Sequence, residues 1–289
     1  MDMLSDGMIK IDIIPGLYRT DESLYFCGDG YVEMSAQIPD YYGADMPLWG
    51  SAGLPFMYGE VDSWYYAFQQ NPEVREIWDR SYRSRNLVYL GIVTDTFNYL
   101  WGSKAVKTIE DFSGTKIRCS GTQQASATRA LGAESVALPF EEIAPSIERH
   151  VVDAAYMPSS MAFNLKYYEI LEYGNLWPLN IVTIGVYVNK DVFEGLPEEA
   201  QRILREAGHY YELITWGGAT ASEKDYVAAL EAAGVKLIRP SEAEIEKARV
   251  ITEVTYKEWL DKAGPEGVAM LESVGKVLEY DLIPEGYGK

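Results

Sequence analysis

The chain has 289 residues, which is long for one compact core and favours two domains. Its composition, 47% hydrophobic and 24% charged, is ordinary for a globular protein. The formal net charge of −19 argues against nucleic acids and anionic membrane surfaces as partners, because both carry negative charge. In so acidic a chain, a well-placed arginine stands out as a site for an anion.

The chain offers little for metal or redox chemistry. Cys27 and Cys119 are its only cysteines, and their wide separation is typical of small buried hydrophobic residues rather than of a disulfide framework. His150 and His209 are its only histidines, and they lack a zinc-type spacing. We therefore predict no cofactor and no metal. The sequence also lacks the run of about 18 apolar residues that predicts a membrane span.

The first hundred residues predict short strands and helices in alternation. In chain order these are a strand (8–14), a helix (21–28), a strand (30–35), two helices (62–70 and 72–83) and a strand (87–93). Gln37 and Tyr41 lie in the loop after the second strand, where α/β sheets place binding groups. Whether Tyr41 binds a ligand or only covers the surface stays open at this point.

The stretch from 108 to 158 is the most regular part of the sequence. Strands at 115–119, 135–138 and 151–156 alternate with helices at 122–131 and 141–149. This βαβαβ pattern predicts a parallel sheet with right-handed crossovers.

Arg118 lies at the carboxyl end of the first of these strands, where such sheets bind ligands. The helix that follows directs its positive N-terminus to the same edge. A guanidinium beside a helix N-terminus is suited to hold a carboxylate. The alternative is an ion pair with one of the 44 acidic residues of the chain.

The remaining third predicts one more strand and several helices. The predicted elements are a strand (182–188), a long helix from Pro197 to 230, a short strand (235–238), a helix (241–262) and a last helix to 278. Gly208 and the pair Gly217–Gly218 interrupt the apolar period of the long helix. The pair Gly264–Pro265 separates the last two helices.

Several segments together resemble the extracytoplasmic solute receptors of TRAP (tripartite ATP-independent periplasmic) transporters, of the DctP type. These are KTIEDFSGTKIRCSG, LGAESVALPFEEI, VVDAAYMP and VYVNKDVFEGLPEEAQRIL, with GMIKIDIIPG and AGLPFMYGEVD upstream. The resemblance covers most of the chain. It implies a periplasmic-binding-protein-like α/β fold, in which two hinged lobes enclose a ligand and a long helix is present. It also implies that the opening strand–helix pair and the signal peptide of such receptors are missing here.

The resemblance implies a division of the chain into lobes. Lobe one comprises 1–93 plus 181–218, and lobe two comprises 94–180 plus 219–289, with the C-terminal helices partly spanning both. The implied location is the periplasm. The implied partners are a small organic acid and the integral membrane subunits of the transporter, and the receptor itself is expected to be a monomer.

The resemblance also implies ligand contacts. Arg118 matches the arginine that pairs with the ligand carboxylate, and Phe140 matches an aromatic residue that lines the cleft. Asn98 falls where some members have a second polar or basic contact. Trp101 belongs to an aromatic run that could face the cleft. For Phe140 and Trp101, packing in the core is the alternative.

One position departs from the family pattern. Met157 stands where the family usually has an asparagine that bonds the same carboxylate, so that amide is lost. Tyr156 could donate its hydroxyl instead. The glutamate with which some relatives hold a cation is also missing from this segment, which agrees with the prediction of no metal.

The sequence therefore predicts a receptor that binds a small organic acid and is not an enzyme. It lacks the motifs of a nucleophile elbow, a dinucleotide site, a P-loop and a zinc protease. Two alternatives stay open at this stage: an α/β enzyme that acts on a small carboxylate, and a ligand-sensing module of the same fold.

Overall fold

A computed structural model describes residues 5–287, and within them there are ten α-helices and eight β-strands. The strands are β1 (Met34–Gln37), β2 (Leu87–Gly102), β3 (Lys116–Cys119), β4 (Glu134–Ala137), β5 (Ala154–Pro158), β6 (Tyr173–Asn175), β7 (Ile181–Asn189) and β8 (Lys236–Ile238). The helices are α1 (Ser23–Gly28), α2 (Val61–Trp64), α3 (Pro72–Arg83), α4 (Thr122–Ala130), α5 (Ile143–Glu148), α6 (Ser159–Asn164), α7 (Lys190–Gly195), α8 (Glu198–Ala232), α9 (Glu242–Ile251) and α10 (Glu253–Leu278).

The 16-residue strand β2 connects the two halves of the sheet, whose order is β1-β7-β2-β5-β3-β4. The first half of β2 pairs antiparallel with β7, which also pairs with β1. The second half, from Asn98 onward, pairs antiparallel with β5 and β6. The pairing with β7 is irregular between Tyr89 and Gly91 and again between Thr94 and Phe97. The second irregularity therefore falls where β2 passes from one half to the other.

The predicted βαβαβ unit is confirmed. Strand β3 pairs in parallel with β4 on one side and with β5 on the other, and α4 and α5 are the connecting helices. Thr108 begins the short turn before β3 with a capping box to Asp111. Gly114 and Gly132 both have positive φ, at the turns that precede β3 and β4, where a side chain would be strained.

Three predictions about single elements are wrong. The predicted strand at 8–14 is absent from the described chain, and Ile13 and Ile14 are exposed, because no neighbouring strand pairs with this segment. Strand β2 does not end at Val93, since β5 and β6 extend its ladder. The helix predicted at 241–262 ends at Ile251, and a second begins at Glu253. The predicted break at Gly264 is confirmed by its non-helical backbone.

Hydrophobic packing divides between the two halves of the sheet. The largest cluster joins α3, the first half of β2 and α10 around Trp64, Phe68 and Trp78. Two further clusters lie around β3 and β5, one with Phe112 and Trp177 and the other with Trp101 and Leu230. Cys27 and Cys119 are buried and free, as predicted. None of the helices within residues 5–287 has the length and apolar character needed to span a bilayer.

Helix α8 runs unbroken for 35 residues across β2, and the glycines predicted as weak points do not interrupt it. At Gly208 the helix touches the strand so closely that an added Cβ would collide with the carbonyl oxygen of Leu90. An added Cβ at Gly91 would lie 2.8 Å from the carbonyl oxygen of Gly208. Glycine at both positions is therefore what permits this close crossing.

Two carboxylates of α8 fasten the irregular parts of β2. Glu212 accepts the amide N–H of Ile92 at 2.9 Å and pairs with Arg75 at 3.3 Å. Glu223, about three helical turns further on, accepts the amide N–H of Phe97 at 3.0 Å. Both N–H groups lie beside an irregularity in the pairing with β7, and α8 supplies their acceptors. Helix α8 thus holds β2 in place where the strand passes from one half of the sheet to the other.

The first prediction concerns the close crossing of α8 and β2. We expect Gly208→Ala to lower the free energy of unfolding by about 1–3 kcal/mol, because its methyl group overpacks the contact with Leu90. Gly217→Ala, on the same helix with open space around it, is the matched control. It should raise the free energy of unfolding by about 0.5–1 kcal/mol, since alanine favours a helix. Urea denaturation of both variants measures the difference. Equal effects would contradict the described contact.

The second prediction concerns pH. Burial raises the pKa of Glu223 to about 7, although hydrogen bonds from Phe97 and Ser159 oppose this shift. Between about pH 4.5 and 7 the folded state therefore keeps a proton that the unfolded state has lost, so the stability contributed by Glu223 falls as pH rises.

Glu223→Gln should remove this loss of stability with rising pH, which amounts to at most about 1.4 kcal/mol per pH unit. Urea denaturation at pH 5, 6 and 7.5 measures it. Glu231→Gln, at an exposed position of the same helix, is the control and should keep the slope of the unmodified protein. A Glu223→Gln protein with an unchanged slope would show that Glu223 does not titrate in this range.

Candidate ligand-binding site

A cavity of about 370 Å³ lies between the turn at 39–42, the paired strands β2 and β7, and the carboxyl ends of β3 and β5. It meets β2 where this strand passes from one half of the sheet to the other. Helix α6, which follows β5 directly, forms another wall. The volume of the cavity is within the usual range of small-molecule sites. The carboxyl-end rule for parallel strands correctly located this cavity.

Arg118 occupies one wall of the cavity as the third residue of β3, and only 3% of its surface is exposed. Its Nε donates to the carbonyl oxygen of Leu138 at 2.9 Å, and its Nη2 donates to the hydroxyl of Tyr41 at 2.7 Å. No acidic side chain within residues 5–287 forms an ion pair with it. The guanidinium is therefore buried with neutral partners, and its charge is not balanced by an acid of the described chain.

Tyr41 reaches Arg118 from the other half of the molecule. It belongs to the 3₁₀ turn Pro39–Tyr42, whereas Arg118 lies in the βαβαβ unit. The guanidinium also lies 5.8 Å from the centre of the Tyr41 ring. Burial raises the pKa of the Tyr41 hydroxyl, although the charge of Arg118 opposes this shift. The hydroxyl remains a hydrogen-bonding group that closes one side of the cavity.

Much of the cavity wall is apolar. Phe140 enters from the 3₁₀ turn after β4, and Met157 comes from β5 with 1% of its surface exposed. Other apolar lining residues are Ile38, Met161, Leu165, Val182 and Ile184. Between these side chains, the body of a ligand would meet carbon and sulfur atoms rather than hydrogen-bonding groups.

A second polar group of the cavity wall lies where β2 passes from one half of the sheet to the other. Asp95 accepts the hydroxyl of Ser160 at 2.7 Å and the amide N–H of Thr96 at 2.7 Å, both on Oδ1. Asn98 donates its side-chain N–H to Oδ1 of Asn180 at 3.2 Å. Asp95, Asn98 and Ser160 all line the cavity.

Asp40 is a buried carboxyl at the edge of the same cavity. Burial raises its pKa to about 7, and its Oδ1 has no hydrogen-bond partner. The side chain packs against Gly53, where an added Cβ would lie 2.8 Å from the carboxyl carbon. Only 6% of its surface is exposed, and it is not among the hydrogen-bond partners of Arg118.

Six of the eight residues predicted as ligand contacts line the cavity, namely Tyr41, Asn98, Arg118, Phe140, Tyr156 and Met157. The other two do not. Gln37 donates to the hydroxyl of Ser23 at 3.2 Å, and Trp101 is fully buried and donates to the carbonyl oxygen of Met157 at 2.9 Å. For Trp101, packing in the core is therefore the correct alternative.

The hydroxyl of Tyr156 does not replace the missing family asparagine. Tyr156 packs in the core cluster with Cys119 and Ala127, and its hydroxyl is buried without a hydrogen-bond partner in the described chain. Burial raises its pKa well above the usual value. Arg118 donates to Tyr41 and to Leu138 rather than meeting this hydroxyl.

Sequence reasoning missed the contribution of α6 and of Asp95. Ser160, Met161, Asn164 and Leu165 all lie on or directly after α6 and line the cavity. Pro158 ends β5 at the carboxyl edge, and this signal could have located α6. No group of three or more potential metal ligands occurs within residues 5–287.

A family model described as bacterial extracellular solute-binding protein, family 7, matches residues 2–262. The chain is 22% identical over 279 residues to the 2,3-diketo-L-gulonate-binding periplasmic protein YiaO of Escherichia coli (strain K12), which covers 94% of this chain and 83% of the relative. It is 21% identical over 275 residues to the ectoine-binding periplasmic protein TeaA of Halomonas elongata, which covers 93% of this chain and 80% of the relative.

Solved structures agree with the fold. DctP6, a Bordetella pertussis extracytoplasmic solute receptor binding pyroglutamic acid, matches with a TM-score of 0.89 and 23% identity, covering 95% of this chain and 91% of that chain. The periplasmic ectoine-binding protein of the Halomonas elongata TeaABC TRAP transporter gives a TM-score of 0.89 and 19% identity, covering 96% and 91%. The two-lobed α/β fold predicted from the sequence is confirmed by these matches. Because the family model spans most of the chain, the protein belongs to the DctP-type bacterial extracellular solute-binding proteins, family 7.

Proposed function

We propose that this solute-binding protein is the periplasmic receptor of a TRAP transporter and binds a small organic acid in the cavity beside Arg118. In this proposal the guanidinium donates to both oxygens of the ligand carboxylate. The apolar wall around Phe140 and Met157 encloses the rest of the molecule. Asn98 supplies a further polar contact.

The observation that carries this proposal is that the guanidinium of Arg118 is buried without an acidic partner in the described chain. A cation that is 97% removed from water, with no acid of the described chain beside it, is energetically unfavourable unless an anion joins it. The guanidinium also lines a cavity of ligand size. A carboxylate ligand would supply both the missing charge and bidentate hydrogen bonds.

Relatives give independent support for an organic acid. Similar structures include the sugar acid binding protein DctPAm of Advenella mimigardefordensis with galactonate and a Desulfovibrio salexigens receptor with orotic acid. Pyroglutamic acid is the ligand of DctP6. These three ligands differ in ring and hydroxyl content and share a carboxylate. Arg118 is suited to the shared carboxylate, and the other lining residues determine which ligand body fits.

The cavity position suggests how binding is coupled to closure. We place lobe one at 1–93 plus 181–218 and lobe two at 94–180 plus 219–289, so that Tyr41 and Arg118 approach the ligand from different lobes. A ligand that contacts both lobes binds the closed form better and shifts the balance towards it. The closed, loaded monomer would then be recognised by the integral membrane subunits of the transporter.

The enzyme alternative is not favoured. The family consists of binding proteins, and no histidine, cysteine or lysine is among the described residues that line the cavity. Nothing in the described chain supports the sensing alternative, which needs an additional output segment.

Substitution of Arg118 is the direct test. A thermal-shift panel of pyroglutamate, orotate, galactonate and ectoine first selects a ligand. Arg118→Gln should then weaken its binding by about 2–5 kcal/mol, because a desolvated charge pair is lost. Isothermal titration calorimetry measures the affinity, and circular dichroism checks the fold.

The matched control is Arg129→Gln. Arg129 lies on α4 with an exposed side chain bonded to Ser135, so it changes the net charge equally without touching the cavity. It should bind the selected ligand as the unmodified protein does. Equal affinities for all three proteins would exclude the proposed role of Arg118.

A further inference from the structure

Building on the proposed function, we infer that the ligand has one carboxylate, an apolar body and a hydrogen-bond donor such as an amino group at its far end, which Asp95 accepts. The cavity is therefore built for a molecule with unlike ends. The charges of the wall, the partners of Asp95 and the apolar side chains that line the same cavity support this inference.

The charges of the wall limit the ligand to one carboxylate. Among the described residues that line the cavity, Arg118 is the single lysine, arginine or histidine. Asp95 and the carboxyl of Asp40 are its acidic members. A second carboxylate on the ligand would meet no cation of the wall, and it would be repelled by Asp95.

Hydrogen bonds hold Asp95 in place, but one of its carboxylate oxygens receives no hydrogen bond from the described chain. Its Oδ1 accepts from Ser160 and Thr96, whereas the described chain supplies no hydrogen bond to its Oδ2. The neighbouring carboxyl of Glu223 already accepts from Phe97 and from the hydroxyl of Ser159 at 3.0 Å. Of these two carboxylates, Asp95 is thus the one that lines the cavity and keeps an oxygen available to a ligand. A carboxylate can accept several donors, so an N–H or O–H group of the ligand fits this oxygen.

Arg118 and Asp95 do not neutralise each other. No ion pair joins them in the described chain, although both line one cavity. The wall also contains Met157, Met161, Val182 and other apolar side chains. A ligand that reaches both charged groups also meets these apolar side chains, which suit an apolar body.

The test uses matched sets of three carboxylates that differ in the far group, which is methyl, amino or a second carboxylate. One set is pentanoate, 4-aminobutanoate and glutarate, and a longer one is heptanoate, 6-aminohexanoate and pimelate. A ring set is trans-4-methylcyclohexanecarboxylate, trans-4-aminocyclohexanecarboxylate and trans-cyclohexane-1,4-dicarboxylate. Calorimetry with the full chain gives each affinity. In the set of the best length, we expect the amino member to bind at least about tenfold more tightly than both others.

Asp95→Asn tests the assigned acceptor. Asparagine keeps the oxygen that accepts from Ser160 and Thr96, so the fold and the cavity should persist. The variant should lose about tenfold in affinity for the amino member and should no longer reject the dicarboxylate. Asp225→Asn, at an exposed position of α8, removes the same charge outside the cavity and should leave the ranking unchanged.

The outcomes separate this inference from the proposed function. If a dicarboxylate or a methyl compound ranks first in the best set, or if Asp95→Asn keeps the ranking, the inference is wrong and the receptor role stands. The same holds if none of the nine compounds binds while the acid selected in the thermal-shift panel still depends on Arg118. If no acid depends on Arg118, both fail.

Discussion

A buried guanidinium with neutral protein partners is the interaction on which the site depends. Arg118 is stripped of water by the strand and turns around it, and it retains the carbonyl oxygen of Leu138 and the hydroxyl of Tyr41 as acceptors. Neutral acceptors offset only part of the lost hydration of a cation. In the proposed function the site is therefore preorganised for an anion, and a bound carboxylate would relieve an imbalance that folding creates.

The scaffold fixes the position of this group within the sheet. Strand β3 has a neighbour on each side, so the position of Arg118 along the sheet is fixed by two parallel ladders. Strand β2 continues from one half of the sheet into the other, and α8 holds it through Glu212 and Glu223 at its two irregular points. The second of these points lies beside Asp95 at the cavity. In the proposed receptor, the part of β2 that joins the two lobes would thus lie next to the ligand.

The departure from the family pattern at Met157 has a structural consequence. The thioether occupies a buried position of β5 on the cavity wall, and the hydroxyl of Tyr156 faces the core instead of the site. Arg118 keeps Tyr41 as a hydrogen-bond partner, and Met157 adds an apolar side chain to the cavity that Arg118 lines. In the proposed function this apolar surrounding would influence which acids fit.

The sequence by itself determined most local elements and the position of Arg118 at the edge of the sheet where the cavity lies. The βαβαβ unit, helix α3 and the break at Gly264 depend on periodicity, caps and glycines, which act over a few residues, and Arg118 followed from the carboxyl-end rule. Tertiary structure alone decided what depends on distant pairing. The segment 8–14 has a strand-like pattern but no neighbour. Asp95 meets Ser160, and Tyr41 meets Arg118, only because β2 and β3 bring remote parts of the chain together.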